Sequence, residues 1–258
     1  MKKVVHFDKD GTLILSEDRN RGVIQKFAEE LFGIPNDQKY WDLNLWPICA
    51  GSSESRIAGI LREHFAEEQK DEIVERIDAF CPEEFERLCK EQWPLLSHLV
   101  SVRPYAVELM QAYKDRGYLV ALVTNSDKQD TEADFVKMFG SVEAGYAFFD
   151  SVVTLDDVGE HRKPSPVPYL LSCQKLGISL DDDAQHTVFE DSPTGFESAL
   201  EAFSGRAQIY GFTYEFMGAP EGVDEIECFT EALEVLEAEP SLSARTARLA
   251  RPLQYARR

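Results

Sequence analysis

Four short polar clusters carry the residue types that do chemistry. Asp8 and Asp10 flank Lys9 directly after the apolar run Val4-Val5-His6-Phe7, and Gly11-Thr12 follow. Two carboxylates one residue apart at the end of such a run suit metal binding, nucleophilic attack or general acid/base work. Taken alone they read equally as a solvated Asp-x-Asp-Gly turn. Thr124-Asn125-Ser126 closes a second apolar run, Lys163 sits in a proline-rich loop, and Glu190-Asp191 closes a third run. Asp8, Asp10, Asp191 and Glu190 offer hard oxygen ligands of the kind Mg²⁺ takes. Thr124 offers a hydroxyl and neighbouring backbone N–H groups to an anion, and Lys163 a point charge that suits phosphate. Hard-metal ligands, a cation and a hydroxyl beside a carboxylate together make a site for a phosphoryl group.

These groups need a scaffold that brings distant chain segments to one edge. Apolar runs predict strands over 4–7, 118–123, 149–154, 186–189 and 206–210. Helical spacing predicts helices over 22–32, 106–116, 128–139, 167–176 and 196–202, with Gly33, Gly117 and Gly177 as stop signals. The alternation implies an α/β fold: a Rossmann-like, doubly wound parallel sheet with right-handed crossovers and its ligand site at the carboxyl edge of the strands. From Gly33 to about Pro94 the sequence is helical, strongly charged and without a convincing strand, which reads as an inserted α-helical cap domain above that edge. The expected division is 1–15 and 97–240 for the catalytic core, 16–96 for the cap, and 241–258 for a basic C-terminal tail. That tail carries Arg245, Arg248, Arg251, Arg257 and Arg258 without an acidic residue, and is expected to be a solvated terminus.

Composition narrows the function classes. The 258 residues carry a net charge of −20, which opposes binding to nucleic acid or an anionic membrane. No run of about 18 apolar residues is present, and a strand begins at once, so a cytoplasmic protein is expected. The five cysteines lack any Cys-x-x-Cys pair and read as free thiols. The five histidines have no zinc-type spacing either, so a transition-metal site is not expected from the sequence. His6 reads as a packed strand residue rather than an acid or base.

In order, FDKDGTL (7–13), VTNS (123–126), RKPSP (162–166) and FEDSPTG (189–195) resemble the four motifs of the haloacid dehalogenase-like hydrolase superfamily. EDSPTG and the helical insertion resemble, more narrowly, its helical-cap branch of β-phosphoglucomutase and phosphoglycolate phosphatase. The likeness covers roughly residues 1 to 215. It implies that Asp8 is a nucleophile forming an aspartyl-phosphate, and that Asp10 is the general acid for the leaving oxygen and then the base for water. An acid role near neutral pH calls for a raised pKa at Asp10, which the charge of Asp8 would favour. The resemblance also implies Mg²⁺ held by Asp8, the Asp10 carbonyl and Asp191, with Glu190 beside them. Thr124 and the Asn125 N–H would grip a phosphoryl oxygen, and Lys163 would offset the negative charge.

In the cap, Gly51, Ser52, Ser53 and Arg56 are expected to face the site. Trp46 and Trp41 are either an apolar wall or cap core. Where the phosphoglucomutase pattern has a histidine and a phosphate-gripping arginine, this chain has Asn20 and Glu54. The expectation is a monomeric Mg²⁺-dependent phosphatase acting on a small-molecule phosphate ester of sugar phosphate or phosphoglycolate type. A phosphomutase and a non-catalytic phospho-ligand-binding protein are the alternatives.

Overall fold

A computed structural model describes residues 2–49, 52–179, 183–212 and 219–238, so Gly51 and the basic tail expected over 241–258 lie outside the described residues. Among the described residues eight strands are formed: β1 (Lys2–Phe7), β2 (Ile14–Leu15), β3 (Ser101–Val102), β4 (Leu119–Val123), β5 (Ser151–Val153), β6 (Ala184–Glu190), β7 (Ala207–Gly211) and β8 (Val223–Glu225). Six of them build one parallel sheet in the order β5-β4-β1-β6-β7-β8. The chain runs outward from β1 through β4 and β5 on one side, and through β6, β7 and β8 on the other. Strand order therefore reverses beside β1, the switch point at which open α/β sheets leave a crevice for ligands.

Register decides which residues share that crevice. Phe7 pairs with Leu122 on one side and Phe189 on the other, so β1, β4 and β6 end level. Val123 and Glu190 are the last residues of β4 and β6, so the loops that begin at Asp8, Thr124 and Asp191 leave the sheet at one edge.

Side-chain alternation gives the two faces of the sheet separate cores. Val5, Phe7, Val120, Leu122 and Phe189 pack with Leu109, Met110 and Phe229 on one face. Val4, Val123 and Val188 pack with Tyr169, Cys173, Ala199 and Phe203 on the other. A third apolar cluster is drawn wholly from residues between Val23 and Cys89, with Trp41, Leu61 and Phe85 fully buried in it. It is built by helices Glu17–Phe27, Glu54–Glu67, Asp71–Asp78 and Pro82–Gln92. Where the chain leaves the sheet for these helices and returns, β2 and β3 pair antiparallel, Ile14 with Val102 and Leu15 with Ser101.

The first of these helices starts at Glu17, five residues before the expected Gly22, with Ser16 as its N-cap residue and Glu17 and Asp18 in its first turn. It passes into a π-turn over Ala28–Phe32 and stops at Gly33, whose φ of +72° is open to glycine without strain. Strand β8 and the helix Phe229–Ala238 were not expected. Among the described residues, no helix is long and apolar enough to cross a membrane.

Candidate active site

Asp8 leaves the end of β1 with its N–H donating to the Phe189 carbonyl at 2.9 Å, which fixes the carboxylate over the β1–β6 junction. Lys163 reaches it from the loop after His161. Its Nζ donates to Asp8 Oδ1 at 2.7 Å, to Glu190 Oε1 at 2.5 Å and to the Val123 carbonyl at 2.7 Å. Three acceptors thus converge on the three protons of one buried ammonium. The Lys163 backbone is set by Asn125: the Lys163 N–H donates to Asn125 Oδ1 at 2.9 Å, and Asn125 Nδ2 donates back to the Lys163 carbonyl at 3.1 Å. Asn125, expected to grip phosphate through its N–H, clamps the lysine loop through its side chain.

Glu190 is wholly buried, and Oε1 also accepts from the Tyr169 hydroxyl at 2.6 Å. Asp191 accepts from the Thr12 hydroxyl at 3.3 Å. Two glycines make room for these carboxylates. A Cβ on Gly11 would stand 1.8 Å from Asp191 Oδ2, and one on Gly195 would stand 1.9 Å from Glu190 Oε2. Thr124, buried at the end of β4, accepts the Ser126 N–H on its hydroxyl at 3.0 Å, and that hydroxyl's own proton remains to be donated.

Charge is distributed differently from the sequence expectation. Burial pushes Asp8 up to about 7, with Lys163 pulling against it and Glu190 adding to it. Burial, with Asp8 next, holds Asp191 well above the usual carboxylate range. Asp10 goes the other way. Burial would raise it, but the Lys9 ammonium and the hydroxyls of Ser126 and Ser16 outweigh that and hold it below the usual range. Ser16 Oγ donates to Asp10 Oδ1 at 2.7 Å, Ser126 Oγ donates to Oδ2, and Lys9 Nζ lies 2.8 Å from Oδ2. The expected raised pKa at Asp10 is thus corrected: the nearest charge to its carboxylate is a lysine, not Asp8.

The cap residues meet the core across a cavity of about 160 Å³ lined by Asp8, Asp10, Thr124, Asn125, Lys163 and Asp191 from the core side. Ser52, Ser53, Arg56 and Trp46 line it from above, as do Asn20 and Glu54. Trp46 is at once cavity wall and cap core, whereas Trp41 is core alone, fully buried with Nε1 donating to the Pro35 carbonyl at 3.0 Å. Arg162 spans the two sides, donating to Ser53 Oγ at 3.1 Å.

Sequence reasoning missed Lys9, Ser16, Asp134, Tyr169 and Arg103, and gave Ser126 no role of its own within its motif. Arg103 Nε donates to the Thr12 carbonyl at 2.7 Å and another guanidinium N–H donates to the Gly11 carbonyl, so it braces the turn that carries Asp10. Only Lys9 gave a signal, as a charged residue embedded at the end of an apolar strand, where lysine is rarely buried without a partner.

Comparison with known proteins bears on this arrangement. The profile of the haloacid dehalogenase-like hydrolases matches residues 2–202. The chain belongs to that family. Among relatives of this haloacid dehalogenase-like hydrolase is the pyrophosphatase PpaX of Bacillus cereus, 28% identical over 229 residues, which are 83% of this chain and 90% of that protein. Another is the validoxylamine A 7′-phosphate phosphatase of Streptomyces hygroscopicus subsp. limoneus, 26% identical over 207 residues, covering 78% and 83% of the two chains. Solved structures share the fold. CbbY from Rhodobacter sphaeroides in complex with phosphate aligns with a TM-score of 0.62 at 20% identity, covering 92% of this chain and 100% of that one. A predicted phosphoglycolate phosphatase from Haemophilus somnus aligns at 0.61 and 18% identity, covering 91% and 97%.

Proposed function

We propose that this hydrolase is an Mg²⁺-dependent phosphatase that cleaves a small phosphate monoester through an aspartyl-phosphate on Asp8. The observation that carries the reading is the anchoring of Asp8 Oδ1 on Lys163 at 2.7 Å. Among the described residues Oδ2 has no hydrogen-bond partner, so one oxygen is oriented and the other is left to attack phosphorus. Thr124 and backbone N–H groups of the loop after β4 bind the phosphoryl oxygens. Asp10 gives a proton to the leaving ester oxygen and then takes one from the water that opens the aspartyl-phosphate. Its surroundings hold it ionised, the form needed for the second step. A phosphate dianion arriving beside it raises its proton affinity and equips it for the first.

The acidic cluster fits a hard divalent cation. Asp8, Glu190 and Asp191 bring ligand oxygens within 4.8 Å of one another, and Asp8 and Asp191 are both raised by burial, a shortage of positive charge that such an ion relieves. Asp8, Asp191 and the Asp10 carbonyl would hold Mg²⁺, with Glu190 beside them. When bound it supplies charge neutralisation at the phosphoryl oxygens.

Glu54 supports hydrolysis over a phosphomutase: it lines the cavity where the phosphomutase pattern has a phosphate-gripping arginine, so the contact that a second phosphate of a bisphosphate intermediate takes is missing at that position. Retention of Asp8, Asp10 and Lys163 together argues against a purely ligand-binding protein. The five free cysteines accord with a reducing compartment such as the cytoplasm.

Phosphate release from a panel of phosphorylated metabolites, with and without EDTA, tests the reading. Asp8→Asn is expected to abolish release with an unchanged melting temperature, and Asp191→Asn to raise the Mg²⁺ concentration for half-maximal activity at least tenfold. Full turnover by Asp8→Asn would overturn the mechanism.

A further inference from the structure

Behind the catalytic edge, on the sheet face covered by helices Val167–Lys175 and Pro193–Phe203, the fold gathers two histidines and a cysteine that sequence spacing leaves far apart. His6 lies on β1, His186 on β6 and Cys173 on the first of these helices. They are 0%, 5% and 2% exposed, and each offers one ligand atom within 4.8 Å of the other two. β1 and β6 pair with Val4 opposite His186 and His6 opposite Val188, so the two histidines are diagonal neighbours on one face.

Nε2 of His6 lies 3.3 Å from Nδ1 of His186. That is long for a hydrogen bond between two rings. It is also about the edge that two Zn–N bonds of about 2.0–2.1 Å subtend at a tetrahedral angle.

A hydroxyl stands beside the His6 nitrogen that faces away from His186: Ser172 Oγ lies 3.3 Å from His6 Nδ1, placed to accept its proton in the tautomer that ligation needs. With its proton on Nδ1, His6 presents the Nε2 lone pair to His186 and Cys173. A second hydrogen bond that fixes the non-ligating nitrogen is the usual support of a metal-bound histidine. Phe203 stacks on the His186 ring with centroids 4.5 Å apart and closes the cluster from the side.

We propose that His6, Cys173 and His186 form a second metal site, selective for a borderline or soft divalent ion such as Zn²⁺ and separate from the carboxylate cluster. Two imidazoles and a thiolate are ligands of that class, whereas the oxygen cluster around Asp191 takes a hard ion. On binding, the Cys173 thiol releases its proton to solvent. The proton between the rings moves from His186 Nδ1 to its Nε2, leaving both facing nitrogens to the metal. One proton leaves per ion bound.

The test is a Co²⁺ and Zn²⁺ titration of the full chain in excess Mg²⁺, in a Cys81→Ser/Cys228→Ser background that removes the two exposed thiols. One equivalent of Co²⁺ is expected to give a thiolate-to-metal charge-transfer band with release of one proton, and Zn²⁺ to displace it without further proton release and to raise the melting temperature. Cys173→Ser should lose the band, and His186→Gln should weaken binding at least tenfold. Each variant is checked by circular dichroism, and the folded one decides. Absence of the band, or an equal Zn²⁺-induced shift in folded Cys173→Ser or His186→Gln, overturns the site.

Discussion

Nζ of Lys9 stands 2.8 Å from Oδ2 of Asp10, so the residue between the two motif carboxylates is bonded to one of them. Its other partner is Asp134 Oδ2 at 2.6 Å, and Lys9 is 1% exposed. Asp134 in turn meets Lys137 at 3.1 Å from its second oxygen. Lys9 is thus the counter-ion that fixes where the Asp10 carboxylate lies and keeps it charged.

Removing one partner of such a buried pair leaves the other charge uncompensated. Lys9→Met is expected to destabilise the protein by about 3–5 kcal/mol in urea denaturation. Lys9→Met/Asp134→Leu should recover part of that loss, because it removes one of the two stranded carboxylates. With Asp134→Leu measured alone, a double-variant loss equal to the sum of the two single losses would show that Asp134 is not coupled to Lys9.

Gly195 makes room for Glu190. A methyl group there would overlap the Glu190 carboxylate, which holds Lys163 at 2.5 Å through its other oxygen. Gly195→Ala should displace that carboxylate, shift the Lys163 ammonium with it, and lower kcat on the order of 10²-fold. Turnover of any phosphate ester that the wild type accepts measures this, with KM expected to change less than kcat.

Glu54 links the cap to pH. Burial pushes its carboxyl up to about 7, with Glu86 reinforcing and Lys90 opposing the shift. Its unfolded value is about 4.3. Between these values the unfolded chain has lost the proton while the folded chain keeps it, so this group's contribution to stability falls as pH rises from about 4.3 to 7. Glu54→Gln removes the penalty. The variant's melting temperature relative to wild type should be level near pH 4.5 and higher by several degrees at pH 8. A constant difference across that range would refute the assignment.

The strand-end chemistry was legible because each cluster is local: a short polar group closes an apolar run, and parallel pairing brings such ends level. Asp8, Thr124, Glu190 and Asp191 were brought together in that reading, with Lys163 added from its proline-rich loop, and the structure gathers the five at one edge. The charge state of Asp10 was not legible, since it depends on Lys9, and Lys9 depends on Asp134, which only tertiary packing brings near. The helix start at Glu17 was missed because Ser16, a residue type that caps helices, spends its hydroxyl on Asp10 and makes no side-chain cap. Strand β8 has three residues and the polar sequence Val223-Asp224-Glu225, too short and too polar for periodicity to reveal. The His6, Cys173 and His186 cluster escaped for a related reason. Metal-site spacing is recognisable when ligands are sequence neighbours, and here they come from two strands and a helix.

Lys163 is the group whose geometry bears most directly on the reaction. Asp8 Oδ1, Glu190 Oε1 and the Val123 carbonyl surround its Nζ at 2.7, 2.5 and 2.7 Å, and the side chain is almost fully buried. A compact ammonium donates to three converging acceptors, whereas a guanidinium spreads its donors over a plane and is larger. Lys163→Arg keeps the positive charge but cannot reproduce the three contacts, so the Asp8 carboxylate loses its fixed orientation. The expected result is a fall in kcat of about 10²–10³-fold. Single-turnover phosphoryl transfer to the enzyme should slow by the same factor, which separates misplacement of the Asp8 carboxylate from slow product release. Activity within tenfold of wild type would show that charge alone, and not the three-point contact, is what the site takes from this lysine.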